Sequence, residues 1–467
     1  MEGEYKKLTG TTALFTGANV ISKLIKILIV PLYTFFMTTA EFGTAETLQV
    51  TISLLGPVFL LGANEAAIRF TMKDEYKPED ILSNCLALLI MFSLPGIMLC
   101  IPLIRLSVFH DNWWLMILLV ILSAAETLLT SFTKGLGRKK VFAVSEIVSA
   151  ASLVIFNLLL LAVFRAGLRG YLLALALASV FRMLFISLMI HVSGYISVKR
   201  VNRRLLASIL KFSLPIMPGV ILWWVMNSSG RYVILWLSGA SSVGIYAIAC
   251  RLSAIVISLS TVFHQAWQLS AIKKYQEHGF REFYSAVFGA YRTVTFMAAA
   301  LLIAFSKPVM MLLDPSYREA WQYAPFMLLS AVFLGLSGFV YINYTLCEKT
   351  IGVFATSLAG ALVCLAMSII LTSRIGIQGA AVASFASFYL LWLIMSVHTG
   401  RLLGIRNDYI SVHADMAIVL AESFLLLKGY SYIFTVLCLL GLFFINRKTI
   451  SALISGAAEF AGSVRRK

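Results

Sequence analysis

The chain has 467 residues, of which 60% are hydrophobic and only 13% charged, with a mean hydropathy of +0.90. A soluble chain of this length carries about a quarter charged residues and divides into domains of about 150 residues, so this composition excludes a soluble multidomain protein. The net charge of +17 invites a nucleic-acid reading, but the placement of the basic residues argues against it.

In chain order, apolar stretches recur at roughly 10–38, 41–66, 80–104, 113–134, 141–165, 168–192, 209–237, 241–270, 283–305, 321–346, 350–372, 377–399, 411–428 and 430–446. Each is long enough for a bilayer core about 30 Å thick. They predict an all-α polytopic membrane protein with about fourteen transmembrane helices. Of the 38 Lys and Arg, 25 fall on the side of the N-terminus, 7 on the other side and 6 inside spans. That asymmetry is the positive-inside pattern and places both termini in the cytoplasm. The runs GRKK (137–140) and KRVNRR (199–204) then become short cytoplasmic loops, which a second reading lets touch anionic lipid.

The first span contains GANVISKLIKILIVPLYTFF (17–36). At about 100° per residue, Asn19, Lys23 and Lys26 fall within an arc of about 60°. A lysine at the centre of a span costs roughly 2.5–3.5 kcal/mol, and these two lie too deep to snorkel to either interface. They are expected to face a cavity, with Pro31 beyond them kinking the helix or leaving a carbonyl unpaired. In the fourth span Glu126 shares a face with Ser123, Thr130 and Thr133. It is the one acid placed at depth, and it either neutralises Lys23, Lys26 or Arg182 or takes a proton. Arg182 lies in the sixth span.

Span seven carries Trp223, Trp224, Asn227 and Arg231 along one face. Indoles cover apolar sugar faces and Arg grips phosphate bidentately, so the stripe suits a sugar–phosphate ligand; the alternative is that the tryptophans pack or face lipid. Span eight places Arg251 with Gly244, Ala247, Ser258 and Gln265, and Arg292 in span nine completes the basic set. Glu65 and Arg69 are expected to form a helix pair at the end of span two. Glu46, Glu146, His264, Glu348 and Glu422 are assigned to span ends and ordinary solvation. Six bases against one acid at depth would attract an anion.

All six cysteines fall in apolar segments without metal-like spacing and are read as packing residues, so neither metal nor cofactor is expected. No A-x-A site follows the first span, which is read as a retained helix. The largest loop, 193–208, lies midway through the first twelve spans. The two halves echo each other: Asn19-x3-Lys23 matches Asn227-x3-Arg231, and EFGTAETLQV (41–50) matches SVGIYAIACRL (242–252). Such repeats are common in transporters that rock one bundle against another. The chain is accordingly divided into an N-lobe (1–198), a C-lobe (199–400) and a C-terminal helix pair with a basic tail (401–467).

The segments 18–50, LLGANEAAIRF (60–70) and 227–256 resemble the Wzx-type polysaccharide flippases of the multidrug/oligosaccharidyl-lipid/polysaccharide (MOP) exporter superfamily. The resemblance implies a MATE-like fold of two six-helix lobes plus a helix pair. It also implies a transporter, and no enzyme, that carries polyprenyl-diphosphate-linked oligosaccharide across the cytoplasmic membrane for a surface polysaccharide such as O-antigen or capsule. A cationic cavity between the lobes would receive the headgroup, with Lys23, Lys26, Arg231, Arg251 and Arg292 as contacts. The implied partners are the lipid-linked glycan, membrane lipid and other polysaccharide-assembly membrane proteins. Three alternatives stand beside it. A peptidoglycan-precursor flippase shares the superfamily. A cation-coupled drug exporter needs cavity acids where span one has lysines. A membrane glycan polymerase, ligase or acyltransferase would have to rest on His110 and Asp111, beside the interfacial Trp113 and Trp114.

Overall fold

The computed structural model describes residues 25, 28–73, 76–104, 110–275, 277–347, 350–405 and 408–455. All regular structure among them is helical. Among the described residues ten helices are long and apolar enough to cross a membrane, or up to twelve if each bent pair is one span. The expected first span lies mostly outside the described residues. The run Arg203–Lys274, one of the ten, holds 72 residues. At ~1.5 Å per residue its contour is ~108 Å, more than one bilayer crossing needs.

Helix α1 (Val30–Phe36) carries Pro31 in its first turn. There the missing N–H is one the helix would leave unpaired anyway. Its carbonyl accepts the Thr34 hydroxyl at 2.9 Å. The carbonyl that the missing Pro31 N–H would strand is that of Ile27, which lies outside the described residues. Helix α2 (Thr39–Phe59) starts sharply because Thr38 and Glu41 form a capping box, each side chain accepting the other's backbone N–H at 3.2 and 2.9 Å. α2 and α3 (Ala63–Met72) meet at 54°, so the expected second span is a bent pair. Glu65 and Arg69, expected to pair, are engaged separately: Glu65 accepts from the Asn64 amide at 3.1 Å, and Arg69 lies 4.5 Å over the Phe212 ring.

Helices α4 (Pro78–Ile104), α5 (Trp113–Gly135), α6 (Lys139–Asn157, continued by a π-turn at Leu158–Val163) and α7 (Gly167–Ile190) follow. The loop after α7 is pinned to the start of α4. Ser83 Oγ donates to the Tyr195 carbonyl at 3.2 Å and accepts the Ser197 N–H at 3.0 Å. Asn84 donates to the Arg200 carbonyl at 3.0 Å and accepts the Asn202 N–H at 2.8 Å. Asp80 pairs with Arg200 at 2.9 Å, and that hydrogen bond raises the exposed guanidinium above even its ordinary pKa. Asn202 then caps the amphipathic helix α8 (Arg203–Ser213). Leu205 and Ile209 of α8 are buried, and Phe212 packs on Phe70 of α3.

The long α9 (Met217–Lys274) is continuous by hydrogen bonding but broken at Gly239, whose φ of 82° and ψ of 174° lie outside the helical region. A residue with a Cβ rarely adopts that conformation, so glycine sets the kink. Then come α10 (Phe280–Met311), α11 (Ala324–Leu346), α12 (Thr350–Ile375), α13 (Ile377–Leu403), α14 (Tyr409–Leu427) and α15 (Tyr432–Ile445). The last is followed by Arg447–Ser455 at a 69° bend.

Two compact units emerge from the packing. The first is Met1–Trp224 with Gly239–Gly244, and the second is Val225–Ser238 with Ile245–Lys467. The first buries Phe42, Phe59, Leu119, Phe132 and Tyr171 among α2, α5 and α7. The second is built around α11, whose Phe333, Leu336, Phe339 and Val340 are fully buried.

Candidate functional site

In the first unit, three helices place charges together at depth. Arg182 of α7 donates through Nη1 to Glu126 of α5 at 2.9 Å and through Nη2 to Glu146 of α6. Their side chains are between 11% and 19% exposed. Of the partners weighed for Glu126, the structure shows Arg182. It corrects the assignment of Glu146 to ordinary solvation, because Glu146 faces inward against the guanidinium. The hydroxyls that share the Glu126 face bond back to their own helix: Thr130 to the Thr127 carbonyl at 3.0 Å and Thr133 to that of Leu129 at 2.7 Å.

Trp224 is fixed by α2. Its indole N–H donates to the Val50 carbonyl at 2.9 Å and lies 3.2 Å from Ser53 Oγ. Trp223 is half-buried. The glycines that marked the internal repeat meet one another. A Cβ on Gly43 would overlap the Ala240 carbonyl oxygen and reach within 2.8 Å of the Gly244 nitrogen. A Cβ on Gly244 would overlap the Thr39 carbonyl oxygen. The Thr39 and Ser241 hydroxyls bond at 2.7 Å beside this crossing. Only side chains of one hydrogen allow such an approach of two backbones. Glu46, expected at a solvated end, is buried at 4% exposure.

Asn19, Lys23 and Lys26 lie outside the described residues. Beside them in sequence, Ile25, Leu28, Ile29 and Leu32 line an apolar groove of ≈ 490 Å³ with Val154 and Ile155 of α6.

In the second unit, Arg231 of α9 donates from Nη1 to the carbonyl of Asn227 one turn earlier, at 3.2 Å. Asn227 is exposed, whereas Arg231 and Arg251 are half-buried. Arg292 of α10 is different. It is 5% exposed and lies in a buried polar node with α14 and α15. Its Nε is 3.3 Å from Asp415 Oδ2, its Nη1 3.6 Å from Asp408 Oδ2, and its Nη2 donates to Asn446 Oδ1 at 2.8 Å. Asn446 also donates to Asp415 at 2.8 Å and accepts the Thr293 hydroxyl at 2.9 Å. The node satisfies charge with charge, so Arg292 is left out of the headgroup set proposed below.

The count of six deep bases against one acid therefore does not hold. Asp415 is fully buried and pairs with a base, and Glu422, also assigned to a span end, is fully buried in α14. Asp415, the buried partner of Arg292, is left unassigned by the sequence reading. The signal was present, since an intramembrane Arg calls for a carboxylate on a neighbouring span. His264, read as solvated, packs among aromatic rings, 5.4 Å from Tyr291 and against Gly338. Glu348 lies outside the described residues. Among the described residues no His, Cys, Asp and Glu group is arranged to hold a metal ion, and Cys85, Cys250, Cys347, Cys364 and Cys438 are not in disulfides.

These features define a class first. A multidrug-resistance MATE transporter in its inward-facing conformation superposes with a TM-score of 0.67 at 14% identity, covering 83% of this chain and 94% of that one. The lipid II flippase MurJ does so with a TM-score of 0.72 at 13% identity, covering 94% and 99%. A MOP-superfamily transporter from Pyrococcus furiosus, described as having a binding pocket of reversed polarity, gives 0.62 at 13% identity, covering 84% and 95%. At such identities the likeness establishes the all-helical fold shared with these transporters, and the apolar helices mark a multi-pass membrane protein. The sequence signature of the family described as "Polysaccharide biosynthesis protein" matches residues 8–268, more than half the chain. The chain belongs to that family. No curated protein matches it.

Proposed function

We propose that this protein flips a lipid-linked anionic oligosaccharide, a polyprenyl-diphosphate glycan, across the cytoplasmic membrane by alternating access. The product would feed assembly of a surface polysaccharide, whether O-antigen or capsule. The carrying observation is that the polysaccharide-biosynthesis signature, residues 8–268, spans the deep bases of the proposed headgroup set. These are Lys23, Lys26, Arg231 and Arg251. Each is proposed as a contact for the diphosphate, because a cation in a low-dielectric surround attracts an anion strongly and Arg and Lys both bind phosphate. Trp223 and Asn227 are proposed to accompany Arg231 on the glycan. The Arg182–Glu126–Glu146 cluster is assigned a charge-pairing role.

The 25-to-7 distribution of basic residues supports cytoplasmic termini. The matched repeats support two six-helix lobes, 1–198 and 199–400, followed by the pair in 401–467. The test is deletion of the gene followed by analysis of lipid-linked intermediates. Accumulation of a polyprenyl-diphosphate glycan on the inner leaflet supports the proposal. Accumulation of a peptidoglycan precursor instead assigns the protein to lipid II, the reading favoured by the likeness to MurJ. Altered drug susceptibility with normal surface glycan overturns both.

A further inference from the structure

Away from the proposed headgroup residues, one side of α13 in the second unit carries an ordered sequence of side chains. Ile394, Val397, His398 and Arg401 are spaced by three and four, so they share a helix face. Together with Leu393 they line a groove of ≈ 450 Å³. Ile394 and Val397 are about two-fifths exposed, as lipid-facing residues are, while His398 and Arg401 are exposed nearer the helix C-terminus. From Ile394 to Arg401 the rise is ~10 Å at ~1.5 Å per residue. The face thus runs from apolar to cationic over the distance between the outer part of an acyl region and a headgroup.

Two contacts make the cationic end more than a chance span terminus. Tyr344 of α11, itself buried, hydrogen-bonds His398 Nδ1 at 2.9 Å. This fixes the imidazole and leaves Nε2 for a ligand. The guanidinium of Arg281 lies against the backbone of Gly404, the residue that ends α13 with φ 64°. A second cation is thereby brought to the end of the helix that carries Arg401. Among the described residues neither Arg281 nor Arg401 pairs with a carboxylate. The partial negative charge of one helix C-terminus, about half an elementary charge, does not balance two guanidinium groups.

We propose that this groove binds an anionic glycerophospholipid from the leaflet at that end of α13. One acyl chain lies along Leu393, Ile394 and Val397, and the phosphate is held by Arg401 and His398 Nε2. A zwitterionic headgroup would bring its own cation to a site that already has a surplus. The site stands independently of the cargo the protein carries.

The experiment is native mass spectrometry of the full-length protein in detergent, with phosphatidylglycerol and phosphatidylcholine of identical acyl chains in competition. Phosphatidylglycerol should be retained preferentially, and Arg401→Gln should lower that preference about fivefold, the factor expected for one basic residue at a membrane surface. His398→Gln should act in the same direction. Val397→Trp, which fills the groove, should lower retention of both lipids. Raising salt on the wild-type protein should erode the preference, which keeps the test open even if a variant fails to fold. Equal retention of the two lipids, or a preference unchanged by Arg401→Gln and by salt, would overturn the proposal. So would displacement of phosphatidylglycerol by an equal amount of polyprenyl phosphate, which would assign the groove to the transported lipid.

Discussion

Asp415→Asn isolates what the buried polar node contributes. Asp415 is fully buried and its partner Arg292 is 6% exposed at the side chain, so water compensates neither. The substitution keeps the shape and a polar atom near Arg292 but removes the charge at 3.3 Å. The remaining acid, Asp408, is 58% exposed and 3.6 Å away, and so is largely screened by solvent. Removing one partner of a buried pair typically costs about 3–5 kcal/mol, most of it from the charge left behind. Asp415→Asn should therefore lower the thermal midpoint of purified protein by several degrees, whereas Asp408→Asn should cost at most about 1 kcal/mol. Asn446→Ala removes the acceptor of Arg292 and Thr293 together and should fall between them. Replacing both partners, Arg292→Met with Asp415→Leu, should recover most of the loss, since the pair disappears without stranding a charge. Melting is followed by the exposure of buried Cys85 and Cys364 to a thiol-reactive dye, both being free and buried. A wild-type midpoint for Asp415→Asn, or a double variant as unstable as the single, would refute the reasoning.

Gly43→Ala should reduce folded protein sharply, because its methyl group meets the Ala240 backbone and no side chain can move aside; size-exclusion yield is the readout. Trp224→Phe keeps the ring but gives up the hydrogen bonds to Val50 and Ser53, at about 1 kcal/mol, with little change in glycan export per folded molecule. A loss of export at unchanged melting would instead show that the indole N–H meets the glycan. Arg182→Met should destabilise more than Glu126→Gln, since the first leaves two half-buried carboxylates without their base and the second leaves Arg182 paired with Glu146.

Much of the architecture was legible because membrane spans announce themselves through length and hydropathy. The two matched repeat segments meet at Gly43 and Gly244. Glu126 found the base at Arg182 that pattern alone left among three. What the pattern could not read was burial along a span. Glu46, Glu146 and Glu422 lie close enough to predicted ends to pass as solvated, and only packing against neighbouring helices shows that they are enclosed. Arg292 reads from sequence as a cavity cation because its partner Asp415 is 123 positions away, on a helix placed outside the repeat. The bend between α2 and α3 escaped because Leu61 and Gly62, whose positive φ values of 48° and 71° turn the chain, sit inside an unbroken apolar run. The pinning of the loop between α7 and α8 is likewise not readable from pattern, because Ser83 and Asn84 that hold it lie more than a hundred residues earlier.

The central claim is tested most directly by reconstitution. Purified protein in liposomes, supplied with a fluorescent polyprenyl-diphosphate oligosaccharide, should move the label between leaflets faster than protein-free liposomes, as read by its protection from an impermeant quencher. Arg231→Ala at equal protein content should slow that movement about tenfold, the effect of losing one charge-assisted contact, while Arg292→Gln should lose activity only in proportion to folded protein. Movement no faster than in protein-free liposomes, or an Arg231→Ala rate equal to wild type, would contradict the account.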